Sequence, residues 1–273
     1  PQENGGWGPL LDGSIKPVGI PDADGNYVMA PYSARGNDEI KKFYQTGTIL
    51  QNNLNISAGG ADGYVNLNLG NVRRDFILEG DELNRNTVVL TAGKKINKFT
   101  VGGTFTFTNQ RTKQANVNAA TSRSDYTLLT TLLQAASNVP IEEFKNRGLY
   151  GWNGYYQNPY WARENNRLEE TKNFINLGMN AGYEINKNIE IVYNGSVQMR
   201  NTNQVSYSNQ AISPADADGG FDSPSQFYQS TLGSTFYYGD LMANFNYDLS
   251  DALKLKFNVG QNVQYNYSKR ISQ

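Results

Sequence analysis

From Ile175 to Arg200 the chain alternates between apolar and polar residues. Ile175, Leu177, Met179, Ala181, Tyr183 and Ile185 occupy the odd positions, and Ile189, Ile191, Tyr193, Gly195, Val197 and Met199 continue the series. The residues between them are mostly Asn, Gly, Glu, Ser and Gln. Successive side chains on a strand point to opposite faces, so this period predicts two strands, each with one apolar and one polar face. Eight such segments run along the chain. LQNNLNISA puts Leu50, Leu54, Ile56 and Ala58 on one side, and YVNLNLG alternates Val65, Leu67 and Leu69 with Tyr64, Asn66 and Asn68. NTVVLTAGKKI is less regular, with Val88, Leu90, Ala92 and Ile96 as its apolar side. FTVGGTFTFTN sets Phe99, Val101, Phe105 and Phe107 against Thr100, Thr104, Thr106 and Thr108. The last pair, YYGDLMANFNYDL and LKLKFNVGQNVQY, aligns Leu241, Ala243 and Phe245 on one strand and Leu255, Phe257 and Val259 on the other.

The connections alternate in length. Tight reversals are predicted at Gly59–Gly63, Asn97-Lys98, Asn186–Asn188 and Ser250–Ala252. Long stretches separate Gly70 from Arg85, Gln110 from Lys172 and Arg200 from Phe236. In a meander this places all short turns at one end and all long loops at the other, as in outer-membrane barrels. A sandwich or lipocalin-like barrel has the same alternation, with the apolar face as its core. Against that stand polar faces rich in Asn, Thr, Ser and Gly rather than Lys and Glu, and loops too long for a compact sandwich. The expected fold is all-β: an antiparallel transmembrane β-barrel segment of about eight strands, with short periplasmic turns and long extracellular loops. The alternative is a self-contained small β-barrel or secreted β protein for ligand binding or adhesion. In the longest loop, SDYTLLTTLLQAASNVP predicts a short amphipathic helix through Leu128, Leu129, Leu132, Leu133 and Ala136, ending before Pro140.

Composition narrows the function. The 273 residues include no His and no Cys, which removes histidine catalysis, thiolate metal sites and disulfides. A carboxylate-only glycosidase survives that exclusion, but the acidic residues are scattered in loops with no recognisable pair, so no enzyme is expected. No cofactor and no metal is implied. A net charge of −1 gives no reason to expect nucleic acid as a partner. Mean hydropathy is −0.60 and no apolar run is long enough for a membrane helix, which leaves transmembrane strands open. The start, PQENGGWGPLLDG, has no signal-peptide pattern.

Three features carry candidate chemistry. Asn176, Asn180, Asn194, Asn244, Asn246, Asn258 and Asn262 fall on the polar faces and would line a lumen with neutral donors and acceptors. The loop GLYGWNGYYQNPYW concentrates Trp152, Tyr155, Tyr156, Tyr160 and Trp161. Such rings stack on sugars, or pack loops together, or meet a lid protein. PDADGNY at Pro21 and PADADGGFD at Pro214 carry D-x-D-G, which opens a calcium loop or simply makes a polar Asp-Gly turn. The mixed-charge run ARENNRLEETKN reads as a solvated loop.

Several stretches together resemble SusC/RagA-type TonB-dependent transporters of Bacteroidetes. These are GWGPLLDG, EIKKFYQTGTILQNNLNISAGG, LNRNTVVLTAGKKINKFTVGGTFTFTN, and NPYW (Asn158 to Trp161) followed by the strand around Phe174 to Ile185. Their order and spacing carry the likeness from about Gly6 to the last strand. The resemblance implies a 22-stranded outer-membrane barrel in contact with lipid, a plug inside it, a SusD-like surface lipoprotein as lid, and energy delivered by the TonB complex through the plug. It implies uptake of oligosaccharides or peptides. A TonB box, a plug and a terminal strand ending in an aromatic residue are not recognisable here. Residues 1–273 therefore read as one partial barrel domain of a longer transporter.

Overall fold

The computed structural model describes residues 8–36, 38–115, 128–154, 156–213 and 222–273. A two-stranded ribbon comes first, β1 (Ile15–Val18) paired with β2 (Val28–Pro31), then a single helical turn, α1 (Asp38–Lys41). The eight alternating segments follow as β3 (Thr48–Gly59), β4 (Gly63–Asp75), β5 (Glu82–Ile96), β6 (Phe99–Ala115), β7 (Asn166–Asn186), β8 (Ile189–Ser208), β9 (Gln226–Ser250) and β10 (Leu253–Ser272). They pair in chain order into one eight-stranded antiparallel sheet. The fold is all-β, and besides α1 its described helices sit in the loop between β6 and β7: α2 (Leu128–Leu133), a 3-10 turn (Ile141–Phe144) and α3 (Pro159–Asn165). No helix among the described residues is long and apolar enough to cross a membrane.

All four tight turns lie at one end of this sheet. Asn97 closes the β5–β6 turn at a φ of 53°, the left-handed geometry that Asn tolerates and two-residue hairpins need. At the β7–β8 turn, Asn186 Oδ1 accepts from the backbone N–H groups of Asn188 (2.9 Å) and Ile189 (3.1 Å). Strands run on well beyond the alternating segments. β8 continues to Ser208 and β9 begins at Gln226, where the sequence pattern had suggested loop. From Asn201 to Gln204 both faces are polar, and beyond that the apolar residues Val205, Tyr207, Phe227, Tyr228 and Leu232 are sparse, so the hydrophobic period weakens while the backbone ladder continues.

Register gathers the apolar positions. Ile56, Leu67, Leu90, Phe105, Leu177, Val197, Tyr237 and Tyr265 are successive pairing partners across all eight strands. The row above is Leu54, Leu69, Val88, Phe107, Ile175 and Met199. This face is uncovered: Leu177 is 47% exposed and Met179 52%. On β7 the apolar run from Ile175 to Ile185 extends about 33 Å along the strand, or about 25 Å in height at a barrel-like tilt. That is the apolar height of an outer-membrane barrel. The opposite face carries Ser57, Asn66, Thr91, Thr104, Gly178, Ser196, Tyr238 and Gln264 in one row.

The sheet is open, with β3 and β10 at its edges. A self-contained eight-stranded barrel would pair them. Measured from the row of Leu69, Phe107, Ile175 and Thr235, successive turns at Gly63, Phe99, Asn186 and Ser250 lie progressively farther along the strands. Turns can share one level only if the strands tilt, which is the stagger that barrels require.

Candidate functional site

Two regions carry the candidate chemistry: a lobe at the long-loop end and the polar wall of the sheet. The lobe holds the hydrophobic core among the described residues. β1 and β2 contribute Val18, Val28 and Ala30, Phe43 follows α1, α2 gives Leu128 and Leu132, and the 3-10 turn gives Ile141 and Phe144. Of the residues expected on the apolar side of this helix, only Leu128 and Leu132 reach the core; Leu129 and Leu133 stay exposed, and the helix ends at Leu133 rather than running on toward Pro140.

The aromatic loop feeds this core. Trp152, Tyr156 and Tyr160 are buried, and Trp161 is half-buried. Tyr155 lies outside the described residues. Trp152 meets Phe144 edge-on at 5.7 Å, and Tyr160 packs on Phe43 at 4.8 Å. Burial pushes the Tyr160 hydroxyl up to about 12, with the Glu142 carboxylate adding to it. NPYW turns out to be a helix start. Fully buried Asn158 caps α3 by accepting from the Tyr160 N–H at 3.1 Å, and Pro159 takes the first helical position. The same side chain donates to the Phe144 carbonyl at 2.8 Å, tying α3 to the 3-10 turn. Asn158→Ala removes the cap and strands a buried carbonyl; a loss of about 1–3 kcal/mol is expected in the lobe. Hydrogen exchange of the α3 amides checks it.

Ion pairs clamp the lobe to the top of the sheet. The buried Arg163 reaches Glu79 at 3.0 Å and lies 5.3 Å from the ring centres of both Phe43 and Tyr160. Lys145 also meets Glu79 at 3.3 Å. The Lys145 hydrogen bond, and then the Arg163 charge, hold the Glu79 carboxyl below its usual range. Asp81 accepts from the Ala115 N–H at 2.7 Å and from Arg167 at 3.1 Å, joining the β4–β5 loop to β6 and β7. Burial nevertheless raises its pKa, outweighing both partners. The run ARENNRLEETKN is thus only partly a solvated loop: it finishes α3, starts β7 and supplies the clamp.

The D-x-D-G stretch at Pro21 is a turn. Asp22 Oδ1 accepts from the N–H groups of Asp24 (3.1 Å) and Asn26 (2.8 Å), and Oδ2 lies 3.4 Å from Arg147. Those N–H groups, Asn26 first, lower the Asp22 pKa. The carboxylate's oxygens are already engaged within the protein. The second D-x-D-G, at residues 216–219, lies outside the described residues.

On the wall, register sets the predicted asparagines on the polar face. Asn180 pairs with Asn194, Asn244 with Asn258, and Asn262 with Asp240. Asn176 Oδ1 is buried without a hydrogen-bond partner among the described residues. Sequence reasoning missed a second row. Asn52, Asn71, Asn86, Asn109, Asn173 and Asn201 are successive partners directly above the apolar band, on the same face. Amide contacts link Asn71 to Asn86 and Asn109 to Asn173, each at 2.7 Å. Their alignment across strands exists only once the register is known.

No protein-family model matches this sequence, and no curated protein is significantly similar to it. Solved structures do match. A chain of the RagAB peptide importer in its closed-closed state superposes with a TM-score of 0.67 at 14% identity, over 96% of this chain and 28% of that one. The RagAB peptide transporter gives 0.64 and 14%, over 98% and 29%. The open-open state of the importer gives 0.66 and 12%, over 96% and 31%. The chain has the fold of part of those chains. It spans less than a third of their length, and at this identity the likeness concerns the fold alone.

Proposed function

We propose that residues 1–273 form part of the barrel of an outer-membrane nutrient importer of the SusC/RagA type, with no catalytic activity of its own. The observation that carries this is the uncovered apolar face running through all eight strands, backed by a polar face. In hydrocarbon an open edge leaves backbone groups unsatisfied, so further strands must continue from β3 and β10. A 22-stranded barrel would supply them. The fold shared with chains of a peptide importer supports this reading, as do the motifs noted above. In it, a solute is captured beneath a SusD-like lipoprotein, and TonB acts through a plug encoded elsewhere in the parent chain. The clamped lobe would sit at the extracellular mouth. Of the aromatic loop, half-buried Trp161 would meet a solute, with Trp152, Tyr156 and Tyr160 as its packed support.

Deleting the parent gene in its native host tests the proposal. Uptake of labelled oligopeptides or oligosaccharides is expected to fall to background, with the protein recovered in the outer-membrane fraction. Unchanged uptake of both classes, or recovery as a detergent-free soluble monomer, would remove it and favour the secreted alternative.

A further inference from the structure

The polar wall divides by charge along the strands. Toward the turn end its ions are mostly paired: Lys95 with Glu184 at 2.7 Å and Lys254 with Asp248 at 3.5 Å. Toward the loop end it carries Arg74, Arg85, Lys172, Arg200 and Arg270, against one carboxylate on that half, Glu170, which sits 2.6 Å from Lys172. All five cations are exposed, and Arg85, Arg200 and Arg270 form no ion pair among the described residues. An excess of exposed, unpaired cations on one wall of a water-filled passage concentrates anions there.

Register fixes how these groups meet. Arg85 and Lys172 both pair with Gln110, from opposite sides, which puts their backbones about 10 Å apart. Lys172 faces Thr202, so Arg200, two residues earlier on β8, lies on the same face at a diagonal of about 7–8 Å. The Arg200 guanidinium rests over the Phe174 ring at 5.7 Å. Stacking orients its plane and leaves the N–H edges free to grip a carboxylate at two points.

We propose that this half of the wall binds the carboxylate groups of an anionic solute, with Arg85, Lys172 and Arg200 as the contacting cations. The proposal rests on the importer reading and adds a substrate class to it. Acidic peptides and uronate-containing oligosaccharides share the required chemistry.

Calorimetry on the full-length transporter in detergent tests it. The probes are an aspartate-containing peptide against its asparagine twin, both amidated at the C-terminus, and an oligogalacturonate against its methyl ester. The acid of at least one pair is expected to bind about tenfold more tightly than its neutral twin, with the preference shrinking as salt rises. The pair that shows it identifies the source of the carboxylate. Arg85→Gln with Arg200→Gln should erase the preference between acid and neutral twin. Lys172→Gln alone should reduce it, which keeps the test open if the double variant does not fold. Equal affinity within both pairs overturns the proposal and leaves the importer reading intact. So does a double variant that melts earlier while keeping its acid preference, because the cations would then be holding part of the transporter itself. A protein that binds none of the four probes likewise overturns the carboxylate proposal, and the importer reading then stands or falls on the gene-deletion experiment above.

Discussion

Phe144→Ala is expected to unfold the loop-end lobe while the sheet stays paired. The ring is fully buried where β1, the 3-10 turn and the aromatic loop converge. Trp152 packs on it edge-on, and Gly19 lies so close that a Cβ there would come within 2.8 Å of the ring, so the site is tightly packed. Truncating a phenylalanine in such a site costs roughly 3–5 kcal/mol. A core of about a dozen residues is small, and even whole domains hold only about 5–15 kcal/mol in reserve. The sheet does not depend on that core, since its eight strands are tied by their own ladders. In hydrogen exchange on the full-length protein, protection should vanish from α3 and the 3-10 turn and persist in β7 to β9. A uniform loss through the sheet would mean the lobe is part of one cooperative unit with it.

The sheet was legible in the sequence because lipid or core burial imposes a period of two, and Ile175 to Met199 keeps that period on both sides of the turn at Lys187. Turn chemistry added the hairpins, with Asn97 in the left-handed region as its residue type suggested. Strand ends were not legible, because just above the apolar band both faces are polar, as from Asn201 to Gln204. The lobe was harder still. Its core is assembled from irregular segments more than a hundred residues apart, as with Val18 and Phe144, and no local pattern marks such contacts. The aromatic loop shows the consequence. Its composition suits sugar stacking, yet Trp152, Tyr156 and Tyr160 are turned inward, while Tyr150 and Trp161 keep a partly open face. The cationic half of the wall was hidden for another reason: Arg85, Lys172 and Arg200 are far apart in sequence and become neighbours only through the pairings of Gln110 and Thr202.

An arginine placed on either face of the sheet should have opposite consequences, and this separates lipid from water as the neighbour of the apolar face. Leu177→Arg puts a charge in the middle of the band, beside Phe105 and Val197. Facing hydrocarbon near the bilayer midplane, it should cost about 2–4 kcal/mol in the folding of the full-length protein into vesicles. Ser196→Arg, its neighbour across the sheet on the polar face, should cost under about 1 kcal/mol, because that side chain enters a hydrated space. Denaturant titration in vesicles of fixed composition reads both. The size of the gap matters more than either value. Leu177 is 47% exposed in the isolated sheet, and in a water-soluble protein a half-exposed leucine tolerates arginine at little cost or with better solubility. Equal and small effects on the two faces would therefore mean that water touches both, and the membrane assignment would fail on that result alone. A large penalty at Leu177 with none at Ser196 requires a medium that rejects charge on one side only, and a lipid bilayer is the one that fits an apolar band this tall and uncovered.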